Sequence, residues 1–80
     1  MKYLVIDTFD NTQKIVGEEE LRNMYDKLLD EIIFNWKDCG DDYIMNGLKK
    51  EKEAVYTADI DFVIKTIMED DKWVEIKEVR

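Results

Sequence analysis

Apolar residues from Leu21 onward fall at Leu21, Met24, Tyr25, Leu28, Leu29, Ile32, Ile33 and Trp36. An i, i+3, i+4, i+7 spacing sustained this long fits an amphipathic α-helix and little else. Gly17 precedes Glu18, Glu19 and Glu20, an acidic first turn that complements the helix dipole, with Glu20 at the third position as in a capping box. Lys37 stands in the last turn and Gly40 is a natural stop, so the spacing predicts a helix over 18–38. A second stripe, Ile60, Val63, Ile64, Ile67 and Met68, predicts a helix over 58–70, with Thr57 as N-cap and Asp59 in its first turn. Leu28, Leu29, Ile32, Ile64 and Ile67 lie at stripe centres and are the expected core.

The opening KYLVIDTF is rich in β-branched and aromatic residues and reads as a strand. Leu4 and Ile6 alternate with Tyr3 and Val5, so both faces carry apolar side chains, the pattern of a strand covered at least partly on both sides. DNTQ is turn-rich and KIV reads as its hairpin partner. WVEIKEV alternates Val74 and Ile76 against Trp73, Glu75 and Lys77, a half-exposed strand. The middle, DDYIMNGLKKEKEAVYT, fits either a short helix on Ile44 and Leu48 or short strands with turns, and the reading favours extended structure with a charged KKEKE loop. The expectation is one α+β domain over 1–80, two main helices packed on one face of a mainly antiparallel sheet of three to four strands, with the terminal strands in the same sheet.

A chain of 80 residues buries only about 60–65% of its unfolded surface. The single cysteine, Cys39, forms no internal disulfide and reads as structural or incidental. The short apolar run before Asp7 is too brief for a signal peptide or a membrane span, and the expected location is cytoplasmic. Twenty acids against twelve bases give a net charge of −8, which disfavours direct binding to nucleic acid or to anionic membranes and favours a basic surface on a protein.

The chain has no histidine and no serine, which removes the commonest general base and metal ligand and excludes Ser-His triads. Acidic pairs such as Asp41 with Asp42 and Asp59 with Asp61 match no calcium-loop spacing. The expectation is a protein without catalysis, metal or cofactor, its acids solvated at the surface.

Phe34 lies roughly 190° from the centre of the first stripe, and Phe62 a similar half turn from the second. Either the middle segment folds over both rings, or they are anchors for a partner. In the second reading Phe34 with Asp30 and Asp38, Phe62 with Asp59 and Asp61, and the acidic knob of Asp41 and Asp42 form the partner-binding residues, the rings supplying buried area and the charges steering a basic surface.

A short, acidic, proline-free chain rich in Lys, Asp, Glu and Ile resembles the small proteins that phages and mobile elements encode against host defence, including anti-CRISPR proteins and other nuclease inhibitors. The resemblance is one of size and composition, includes no motif and carries over no functional residue. It implies stoichiometric inhibition of a nucleic-acid-handling host enzyme, with no catalysis. The charge reading taken to its extreme is imitation of nucleic-acid phosphates, but the pairs Glu18 with Arg22, Arg22 with Asp26 and Lys27 with Glu31 neutralise the outer face of the first helix and favour local acidic knobs over a continuous phosphate-like stripe. The alternative is a structural or assembly protein that homodimerises through Phe34, Phe62 or a free strand edge.

Overall fold

The computed structural model describes residues 1–38 and 40–79, and the reading of Cys39 falls outside them. The elements are β1 (Lys2–Asp7), β2 (Thr12–Gly17), α1 (Glu18–Trp36), α2 (Asp42–Glu53), α3 (Ile60–Asp70) and β3 (Val74–Val79). Their arrangement is α+β. Among the described residues there are three helices rather than two and a sheet of three strands; α1 and α3 pack on the sheet, and α2 packs on α1.

The sheet is antiparallel throughout, in the order β2-β1-β3, so the two terminal strands are neighbours. The β1–β2 hairpin closes where Asp7 accepts the Phe9 and Asp10 amides on one carboxylate oxygen, and Asn11 takes a positive φ of 56°. Asn is one of the few side chains that tolerates that conformation. Thr8 donates both its amide and its hydroxyl to the Trp73 carbonyl, each at 2.8 Å, tying the hairpin loop to the start of β3.

One sheet face carries Tyr3, Val5, Val16 and Ile76, all buried, and they join Leu21, Tyr25 and Leu29 of α1, Val63 and Ile67 of α3, and Val55 in a single core. Of the expected core residues, Leu29 and Ile67 are fully buried, Leu28 and Ile64 pack partly buried against that core, and Ile32 is half-buried. The helices serve only this face, so β1 is not covered on its second face by any described part of the chain. Helix α1, at about 1.5 Å per residue, is longer than the roughly 20 Å of a six-residue strand, so its second half projects past the sheet with α2 alongside. The result is elongated, with extents of 43 × 28 × 15 Å.

The middle segment corrects the extended reading. Asp41 accepts the Ile44 amide at 3.2 Å as a side-chain N-cap, Asp42 adds charge to the first turn, and Lys50 and Lys52 face the dipole at the other end. The run KKEKE is helix rather than loop, since long straight side chains lose little freedom there, and Gly47 sits inside α2 instead of in a hairpin turn. After Ala54 the chain makes tight turns around a fully buried Val55. The Thr57 hydroxyl donates to the Ala54 carbonyl, so Thr57 does not cap α3; Asp59 does, accepting the Asp61 amide at 2.8 Å, and the helix starts at Ile60.

Candidate functional site

The folding of 42–53 into α2 leaves both out-of-stripe phenylalanines uncovered: Phe34 is 66% exposed and Phe62 50%. They do not form one patch. Phe62 stands edge-on to Tyr25, ring centroids 6.4 Å apart. Phe34 lies nine residues beyond Tyr25 on α1, about 13 Å along the axis and half a turn round.

Phe62 is thus half a wall of the core, with Asp59 and Asp61 beside it at the N-terminus of α3. Asp41 and Asp42 hold the corresponding place on α2, and Asp38 is exposed in the turn that follows α1. The acids expected to form steering knobs are therefore largely helix-start residues. Four of them, Asp41, Asp42, Asp59 and Asp61, cap a helix or sit in its first turn, where carboxylates are stabilising in their own right.

Phe34 is different, since nothing in the fold requires it. Its ring borders a shallow open depression of about 370 Å³ lined with Asp30, Glu31 and Asn35. The Lys37 ammonium stands 4.3 Å above the ring centroid, so the negative π face already holds a cation. Asp30 is not a free rim charge: Lys52 of α2 bonds to it and lies 3.5 Å from Asp26 as well. The hydrogen bond to Asp30, opposed by some desolvation and aided by Asp26, raises the Lys52 pKa.

That ion pair belongs to a polar seam that sequence reasoning missed. Tyr25 Oη donates to Glu51 Oε2 at 3.1 Å, and Tyr56 Oη to Asn23 Oδ1 at 2.6 Å. Burial first, then the bond to Glu51, pushes the Tyr25 phenol up to about 12. Arg22 pairs with Glu18 at 2.7 Å as the i,i+4 spacing suggests, but its other nitrogen donates to the Val55 and Ala58 carbonyls at 2.9 and 2.6 Å. No local pattern announces partners more than thirty positions away; the only hint is that Arg22 and Tyr25 border the stripe of α1.

Two further clefts of about 220 Å³ each share Met24 and Val74 where α1 leaves the sheet. Among the described residues no group of three or more acids is placed to hold a metal ion, and no buried side-chain polar atom lacks a partner. Among the described residues no helix is long and apolar enough to cross a membrane. No protein-family model, curated protein or solved structure matches this chain.

Proposed function

We propose that the chain is a non-catalytic module that binds a basic surface of another protein, with Phe34 as anchor and Glu31, Asp30 and Asn35 as its polar surround. The reading is carried by one observation: a large aromatic ring, 66% exposed on the side of α1 away from the core, already seats an ammonium group on its face. An exposed cation–π contact contributes only about 0.5–1 kcal/mol, so an incoming guanidinium, which also stacks on the ring and pairs with Glu31, displaces Lys37 at small cost. The net charge of −8 then speeds encounter with a basic partner without itself supplying much affinity. Proteins that handle nucleic acid are the class that presents such surfaces, and acting on one of them by occupancy makes the effect stoichiometric.

The test is titration of the isotope-labelled protein with an arginine-rich peptide. Shifts should concentrate at Asp30, Glu31, Phe34 and Asn35; Phe34→Ala should weaken binding roughly tenfold, as expected of an aromatic anchor. Lys37→Gln, which removes the resident cation, should tighten it. Shifts centred on the start of α3, or equal binding by Phe34→Ala, would move the site elsewhere.

A further inference from the structure

The two edges of the sheet are not alike. Thr8 donates its amide to the Trp73 carbonyl, so the hydrogen-bonded pairs that follow in the β1–β3 ladder are Ile6 with Glu75, Leu4 with Lys77 and Lys2 with Val79. Val74, Ile76 and Glu78 turn their backbone groups to the outer edge instead. The first two of those amides are taken: Val74 donates to the Asp71 carbonyl at 3.2 Å, and Ile76 to Met68 Sδ of α3 at 3.4 Å. An added strand would have to displace both, so β3 is closed over most of its length.

By the same alternation β1 turns Tyr3, Val5 and Asp7 toward β2, where they pair with Val16, Lys14 and Thr12. Gln13 and Ile15 therefore point their amides and carbonyls outward, and no other backbone group among the described residues bonds to them. The strand is exposed from Thr12 to Ile15. An open edge is a template for pairing, and proteins ordinarily blunt it. Here one edge is blunted and the other is not.

The groups beside the open edge select what pairs with it. Lys14, the one charged residue of β2, lines a depression of about 220 Å³ together with Glu20, Asn23, Met24 and Lys27 of α1. Neither Lys14 nor Lys27 forms an ion pair with a described residue. A strand added to β2 holds the side chain opposite Lys14 over this depression, where two ammonium groups stand against one carboxylate, so an acidic side chain fits. A second copy does not: its β3 edge is closed, and its β2 brings Lys14 as the only charge, toward Lys14 and Lys27 of the first.

We infer that the β2 edge takes an extended segment of another protein as a fourth, antiparallel strand, with an acidic residue opposite Lys14 and β-branched residues opposite Gln13 and Ile15. The outward amides and carbonyls of Gln13 and Ile15 hold its main chain. Its β-branched side chains lie beside Ile15, next to Leu4 and Ile6 on the uncovered face of the sheet. Lys14 acts twice, attracting an acidic strand and keeping copies of this chain apart. The site is separate from Phe34, which lies on the half of α1 that projects past the sheet.

The probe is the blocked peptide Thr-Val-Glu-Val-Thr, titrated into the full isotope-labelled chain. Its glutamate sits opposite Lys14 and its valines opposite Gln13 and Ile15. Amide hydrogen exchange at Gln13 and Ile15 should be fast in the free protein and slow at least tenfold on saturation, while Val74 and Ile76 stay unchanged. Methylating both valine nitrogens, which removes the donated main-chain bonds, should weaken binding at least tenfold. Lysine in place of the glutamate should weaken it roughly threefold, as expected of a cross-strand charge pair, and Lys14→Glu should reverse that preference with an unchanged melting curve. Phe34→Ala should bind the peptide as the parent chain does, which separates this site from the one proposed above. The inference is overturned by absence of binding up to millimolar peptide, by equal binding of the methylated peptide, by an indifference to charge that Lys14→Glu does not alter, by loss of binding in Phe34→Ala, or by Gln13 and Ile15 amides that are already protected without peptide.

Discussion

Arg22 donates to the carbonyl of Val55, a residue with no exposed surface, across 33 positions of sequence. The same nitrogen reaches Ala58, so one guanidinium fixes the connection between α2 and α3 onto α1. Arg22→Ala strands both carbonyls near the core, and an unsatisfied buried acceptor costs about 1–3 kcal/mol. Lys in its place keeps the charge but lacks the planar fork and should restore only part of the loss. Urea unfolding of the two variants checks this; a loss below about 0.5 kcal/mol for the alanine variant would mean that water replaces the guanidinium without penalty.

Tyr25 predicts the alkaline behaviour. Its phenol titrates at about 12 in the folded chain and near 10 when unfolded. The unfolded state therefore releases its proton first, and stability present below pH ~10 is lost as pH rises toward ~12. The raised pKa values of Lys52 and Tyr3 act in the same direction. Tyr25→Phe should be less stable near neutrality, having lost the bond to Glu51, yet show a shallower decline across that alkaline window. Melting midpoints against pH give the comparison; parallel curves for the two proteins would remove Tyr25 from the account.

Gly47 occupies the interior of α2, and a Cβ built there meets nothing within 4 Å. Glycine in a helix interior is about 0.5–1 kcal/mol worse than alanine. Gly47→Ala should raise stability by about that amount, read as an upward shift of the thermal midpoint. A decrease would show a close approach to this face of α2 in solution.

Phe34 and Leu29, on the same helix, should respond in opposite ways to truncation. Leu29 is 1% exposed, and Leu29→Ala should cost roughly 2–5 kcal/mol of folding stability. Leu28, only half-buried, should cost less than Leu29 on the same change. Phe34→Ala should leave the melting midpoint nearly unchanged, since its ring is mostly exposed and is not part of the core cluster. A large drop for Phe34 would place the ring in a core contact and remove it as a binding anchor.

Asp41 and Asp59 are capping residues before they are anything else. Their alanine variants should each lose about 0.5–2 kcal/mol, whereas Asn, an equally good N-cap, should retain most of the stability. Circular-dichroism melts of the four single variants distinguish the two substitutions. Equal behaviour of Ala and Asn at both positions would show that capping contributes little.

Helices α1 and α3, the β1–β2 hairpin and the exposed alternation of β3 are legible in the sequence because each rests on a local period: Leu21 to Trp36 and Ile60 to Met68 at helical spacing, Val74 and Ile76 at strand spacing. The outward aim of Phe34 follows from the same arithmetic. Helix α2 does not: Asn46-Gly47 and Val55-Tyr56 carry turn and strand propensity, and the helix is held by Asp41 together with partners on α1, Tyr25 to Glu51 and Asp26 and Asp30 to Lys52. Periodicity reports which side of an element is apolar and is silent about what packs there. The bare outer face of the sheet, the uncovered Phe34 and the assignment of Asp30 to Lys52 were therefore decided by tertiary structure alone, through contacts between residues too distant in the chain to leave a local pattern.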